Sequence, residues 1–185
     1  HRVAHRYITA ATGLDKHEIV KNKASAMTTF NKIRDKIMFK DSTGRDMNWV
    51  ESVCKSYKPD IVILDMGDKF ARTAGFARTD EALKANAIQA RQIAKQQECA
   101  MFYMSQLSAE AEGKIYVDQS MLEGSKTGKA AECDLMVLIS KNPQVEGEYE
   151  SDTQRHLNVA KNKLKGGWHG VVHCQLDGER ARYSA

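Results

Sequence analysis

The stretch "KPDIVILDMGDKFARTAGFARTDE", residues 58–81, decides the fold. Ile61, Val62, Ile63 and Leu64 form an unbroken aliphatic run that ends at Asp65. A strand buried on one face alternates apolar and polar residues, whereas one buried on both faces reads as a continuous apolar run. The run therefore predicts a central, parallel strand. A glycine and a basic loop follow Asp65. Residues 79–97 then read as a long helix, with Thr79 as N-cap and Asp80 and Glu81 in the first turn. "CAMFYMS", residues 99–105, is a second apolar strand. Strand, helix and strand in this order make a right-handed crossover unit.

Outward from this unit the pattern continues on both sides. Residues 1–12 read as a helix stopped by Gly13, and residues 25–37 as another, with Met27, Phe30, Ile33 and Ile37 at helical spacing. "IMFK", residues 37–40, reads as extended and "DSTGRD", residues 41–46, as a turn. Residues 47–57 are helical through Val50, Val53 and Tyr57. On the C-terminal side, residues 106–133 are polar and carry no strand pattern. "DLMVLIS", residues 134–140, is a third apolar strand. A polar hairpin-like stretch leads to "RHLNVAKN", residues 155–162, then "HGVVHCQL", residues 169–176, and a closing "RYS". The order predicts one α/β domain over residues 1–185, three-layered, with a central, mostly parallel sheet and antiparallel hairpins at its C-terminal end.

Composition supports a water-soluble globular chain, 42% hydrophobic and 28% charged. No apolar run reaches the roughly 18 residues that cross a bilayer, so no membrane role is expected. "HRVAHRYITAATG" at the start is basic and amphipathic and lacks the apolar centre of a signal peptide. The net charge of +4 makes a single copy a weak nucleic-acid binder, while several copies facing one channel would create a stronger field. Cys54, Cys99, Cys133 and Cys174 are far apart and form no C-x-x-C pair. They read as reduced core thiols of an intracellular protein, with neither disulfides nor zinc expected.

In open α/β sheets ligands bind beyond the carboxyl ends of the strands. Asp65 and Gln106 stand at two such ends. If the two strands are neighbours, about 4.8 Å apart, both side chains reach one small volume. Asp65 suits magnesium, directly or through water, and Gln106 suits a terminal phosphate. Asp is also common at strand ends because it suits the following turn. The segment "EGSKTGKA", residues 123–130, imitates a phosphate loop and fails as one. Glu123 stands where Gly is required, Ala130 replaces the Ser or Thr, and the segment precedes a strand instead of following one. It reads better as part of a mobile basic loop. Lys114, Lys126 and Lys129 offer cations there, and Gly113, Gly124 and Gly128 permit close backbone approach. A solvated charged loop is the plainer alternative. Lys161 and Lys163, two apart at a strand end, share a face, and Lys165 extends the run. They can neutralise a transferring phosphoryl group or simply line an exposed sheet edge. His169 and His173 share a face but lack a third metal ligand. Met101 and Met104 read as core filler.

Taken in order, these pieces resemble the RecA-type ATPase domain of hexameric DnaB-like replicative helicases, phage primase-helicases in particular. "PDIVILD" resembles that family's Walker B strand and "FYMSQLS" the strand that ends in its phosphate sensor. "SMLEGSKTGKAAECDLMVLI" is similar to its D-L-R-x-S-G…D-A-D segment, and "LNVAKNKLKGGWHGVV" to its K-x-R-x-x-x-x-G segment. "HRVAHRYITAATG" resembles the helix after the catalytic glutamate. The resemblance spans essentially the whole chain. It implies a RecA-like core in a six-membered ring, with ATP and Mg2+ between subunits and single-stranded DNA in the channel. Movement would run 5′ to 3′ in the cytoplasm, a bacterial host cell's if phage-encoded, with primase and polymerase as partners. It implies that Asp65 is the magnesium-associated acid and Gln106 the γ-phosphate sensor. Lys161 and Lys163 would act in trans, and Arg72, Arg78, Lys114, Lys126 and Lys129 would face DNA. The Walker A loop and the catalytic glutamate would precede residue 1, so the chain alone is expected to be inactive. Lys163 stands where the family has an arginine, and Glu123 replaces its usual Arg. A RecA/RadA-type recombinase, a KaiC-like ATPase and a non-catalytic RecA-like nucleic-acid-binding module are the alternatives.

Overall fold

The computed structural model describes residues 2–71, 78–124, 126–142, 153–164 and 166–185. Helix α1 (Arg2–Thr12) stops at Gly13, as expected. Gly13 has a φ of +71°, and a Cβ there would lie 2.7 Å from the Arg182 guanidinium. The left-handed turn favours glycine at this position, and a side chain there would also displace the Arg182 guanidinium. The sequence reading missed helix α2 (Lys16–Lys21), which buries no residue and so has no apolar stripe. Its signal was a capping box: Asp15 accepts from the Glu18 backbone and Glu18 accepts from the Asp15 backbone. Helix α3 (Lys23–Arg34) packs beside α1, with the Tyr7 ring edge-on to Phe30 at 5.3 Å between centroids. Residues 37–40, expected as extended, pair with no strand.

Helix α4 (Met47–Tyr57) starts at Asp46, whose carboxylate accepts from the Trp49 N–H. It leads through a left-handed Lys58 into β1 (Ile61–Leu64). Helix α5 (Thr79–Gln96) and β2 (Ala100–Tyr103) complete the crossover. Arg78 is the N-cap residue of α5 and makes no side-chain cap bond, so Thr79, expected there, is the first helical residue. Strands β1 and β2 are parallel neighbours, with Ile61 opposite Ala100 and Leu64 opposite Tyr103. Met47, Val50 and Cys54 of α4, Ala90 and Ile93 of α5, Leu64 and Phe70 form the core. Val62, Met101 and Tyr103 pack against it.

The other face of this pair is open. Ile61, Ile63 and Phe102 are 58%, 61% and 52% exposed. The aliphatic run was expected to be buried on both faces; among the described residues Val62 and Leu64 pack on the core while Ile61 and Ile63 are exposed.

Helix α6 (Lys126–Glu132) follows, then β3 (Leu135–Lys141), β4 (Gln154–Asn162), β5 (Gly170–Asp177) and β6 (Arg182–Ser184). The last four form a separate antiparallel sheet in the order β3-β4-β5-β6. The closing strands were expected as antiparallel hairpins, and they are. Among the described residues β3 pairs only with β4, and the parallel part of the fold is the β1–β2 pair. Most of the expected hairpin-like stretch before β4 lies outside the described residues. No described helix is long and apolar enough to cross a membrane.

The two ends of the chain meet. The Arg182 side chain donates to the carbonyl of Ala10, capping the end of α1. Arg180 donates to the Gly13 carbonyl and pairs with Asp15, Glu18 and Asp177.

Candidate functional site

Asp65 and Gln106 leave the same end of two adjacent parallel strands, the placement the sequence predicted. The pairing continues past the strands: Met104 N–H donates to the Leu64 carbonyl at 3.1 Å and Gly67 N–H to the Met104 carbonyl at 2.8 Å. Both side chains are exposed. Asp65 lines an open cleft of about 470 Å³ with Lys40, Asp41, Ser42, Thr43, Gly44, Met66 and Lys69. Two carboxylates and two lysines therefore border one concavity. Among the described residues no cluster of three or more metal-ligating side chains forms here, so Asp65 with Asp41 offers at most two carboxylates to a cation. Asp41 accepts from both the backbone and the hydroxyl of Thr43, and these bonds hold its carboxyl below the usual range.

Behind the strand tips lies a cluster that sequence reasoning did not anticipate. A turn of 3-10 helix, Gly67–Lys69, carries Asp68. The Asp68 carboxylate accepts from the Tyr103 hydroxyl at 3.3 Å and from the Ser105 hydroxyl. Lys129 of α6 reaches the same carboxylate at 3.1 and 3.2 Å. Its ammonium also donates to Ser105 Oγ at 2.7 Å and to the Glu123 carbonyl. The Lys129 side chain is 5% exposed and that of Asp68 11%. Burial, with Asp68 beside it, pushes the Tyr103 phenol well above its ordinary pKa. Gly67 allows this packing, since a Cβ there would lie 2.5 Å from the Tyr103 ring.

Lys129, expected to face DNA, is thus buried in an internal ion pair, and its charge is not presented to solvent. The cause lies in α6, which turns Lys129 toward the strand tips while Gly128 and Ala130 are also buried. The segment expected as a mobile loop is tied down at several points. Leu107 bridges to Leu122, and Glu123 N–H donates to the Gln106 carbonyl at 3.0 Å. Val117 and Leu122 pack with Ala130 and Leu138. The Ile115 carbonyl accepts from Ser140 of β3 and Asn158 of β4. Lys114 remains exposed on this segment. Lys126 opens α6, with its side chain outside what is described. Arg72 lies outside the described residues. Arg78 is exposed and pairs bidentately with Asp80, at 3.1 and 2.9 Å.

Lys161 and Lys163 lie elsewhere. Lys161 donates to the Ala130 carbonyl at the end of α6, and burial holds its pKa below the ordinary lysine value. Lys163 is exposed, and its backbone N–H donates to the Asp134 carbonyl. Arg91, late in α5, donates to Glu132 and Asp134 beside them. Within one chain the two lysines do not join Asp65 and Gln106. Lys165 lies outside the described residues, and His169 is exposed ahead of β5.

No family profile and no curated protein matches the chain. Among solved structures it is similar to one described as an "ATPase Domain", with a TM-score of 0.79 and 17% identity, over 96% of this chain and 68% of that one. It is similar, again at TM-score 0.79 and 17% identity, to a structure described as "The Structure Of A DnaB-Like Replicative Helicase And Its Interactions With Primase". That match covers 97% of this chain and 47% of the other, so the chain spans about half its length. The likeness is one of fold: this chain shares the α/β architecture of those structures.

Proposed function

We propose that this chain is part of a DnaB-like, ATP-dependent replicative DNA helicase that moves along single-stranded DNA as a hexameric ring. The observation that carries the reading is the placement of Asp65 and Gln106 beyond the same end of two hydrogen-bonded parallel strands, with Asp65 lining a cleft bordered by acids and lysines. The fold likeness to helicase ATPase domains supports it.

ATP is the substrate in this reading, and Mg2+ bound by Asp65, directly or through water, would offset charge on its β and γ oxygens. Gln106 would donate its amide N–H to the terminal phosphate and lose that bond after hydrolysis. Lys161 and Lys163, remote from the tips within one chain, would serve the site of a neighbouring copy. Lysine supplies a point charge there and not the bidentate fork of arginine. Arg72, Arg78, Lys114 and Lys126 would meet DNA phosphates. Primase and polymerase are the proposed partners, in the cytoplasm of a bacterial cell.

The test is Asp65→Ala in the full-length protein. ATP turnover should fall by at least about 100-fold, the scale of losing a pre-organised charged group, with the thermal midpoint unchanged. Turnover near the wild-type rate would remove Asp65 from this role.

A further inference from the structure

We infer that Lys129 is a positioning residue that sets Gln106 and couples it to α6. This rests on the reading of Gln106 given above. The Lys129 ammonium touches three separate segments: Asp68 in the turn after Asp65, Ser105 immediately before Gln106, and the Glu123 carbonyl. Glu123 in turn donates its N–H to the Gln106 carbonyl. Gln106 is therefore held from both sides, covalently through Ser105 and by hydrogen bond through Glu123, and both holders are bonded to one ammonium. Ser105 completes the cluster, donating to Asp68 while accepting from Lys129. An apolar strut would fill the same space without the desolvation cost that a buried ion pair carries. Such a strut would not fix the Ser105 hydroxyl or the Glu123 carbonyl. The tip of β1, the tip of β2 and the start of α6 consequently move as one body. A displacement of Gln106 is passed to α6 and to the neck of the segment that carries Lys114.

Lys129→Met alone strands the Asp68 charge and can unfold the chain, so the decisive variant is Lys129→Met with Asp68→Leu. Replacing both members of a buried pair by apolar groups is often neutral for stability. On this chain, amide hydrogen exchange at residues 104–108 and 121–124 should quicken by about ten-fold, with β3 and β4 unchanged. In the full-length protein, the ratio of DNA-stimulated to basal ATP hydrolysis should fall by about ten-fold, with KM for ATP within about two-fold of wild type. A folded double variant with wild-type exchange around Gln106, or with the wild-type stimulation ratio, overturns the inference. If the wild-type full-length protein hydrolyses no ATP, the proposed function fails instead, and the exchange measurement alone decides whether Lys129 positions Gln106.

Discussion

His156 and His173 face each other across β4 and β5, with their Nδ1 atoms 2.7 Å apart. His156 Nε2 lies 2.6 Å from Asn142 Oδ1, and the Asn142 amide nitrogen donates to Gln154. One of the two facing Nδ1 atoms must carry the proton of their hydrogen bond, so the two rings cannot both be protonated there. The sequence reading paired His173 with His169 along the strand, because cross-strand neighbours are invisible until the register is known. His156 is 6% exposed, and burial followed by the adjacent His173 holds its pKa below 6.5. The two histidines line an open pocket with Gln154, Arg155, Cys174, Gln175, Ser184 and Ala185. On acidification the unfolded chain takes up the proton first. Stability should then fall as pH drops through 6.5 and level off once the folded histidine titrates. Urea unfolding at about pH 7.5 and about pH 5.5 reads this directly, and His156→Gln should reduce the acid loss. An equal loss in wild type and variant would assign the acid sensitivity to other groups.

At the scale of elements, α4 shows how a short cap supports the functional end of the fold. Asp46 is its N-cap and the preceding Arg45 carbonyl accepts from Ala71 N–H at 2.8 Å, tying the start of α4 to the segment after β1. Met47, the first residue of the helix, is fully buried. Asp46→Ala should cost about 1 kcal/mol in urea unfolding, whereas Asp46→Asn should recover most of it. Equal losses in the two variants would place the cost elsewhere than in the cap. The elements legible in the sequence were those with an apolar period or run: α1, α3, α4, α5, β1 to β5 and the stop at Gly13. Those missed had no such signal. Helix α2 announces itself only through Asp15 and Glu18, and α6 combines two lysines and a glycine that read as loop. The site divides in the same way. Asp65 and Gln106 were legible because strand ends are, whereas the fate of Lys129 depended on how α6 turned it, and no spacing rule contains that.

Over the whole molecule, Arg180 and Arg182 join the C-terminal hairpin to α1 and α2, so sequence-distant ends form one surface. The arginines are recognisable in sequence, but their partners, some 170 residues away, are set by tertiary packing. The burial of β1 was misread for a related reason: an aliphatic run reports what a strand could bury, not what covers it among the described residues. The β1–β2 pair leaves Ile61, Ile63 and Phe102 on a face open to solvent. Sizeable exposed apolar patches on a small chain draw dyes and other chains, and among the described residues no further strand pairs with the outer edges of β1 and β2. The chain should therefore bind an apolar dye such as anilinonaphthalene sulfonate while fully folded. Ile63→Lys with Phe102→Lys puts charge on the open face and leaves Val62, Leu64, Met101 and Tyr103 against the helices. Dye fluorescence should fall by at least about two-fold and light scattering at high concentration should drop, with the far-ultraviolet dichroism unchanged. Undiminished dye binding in the folded variant would show that this face is covered in solution and that the dye sits elsewhere.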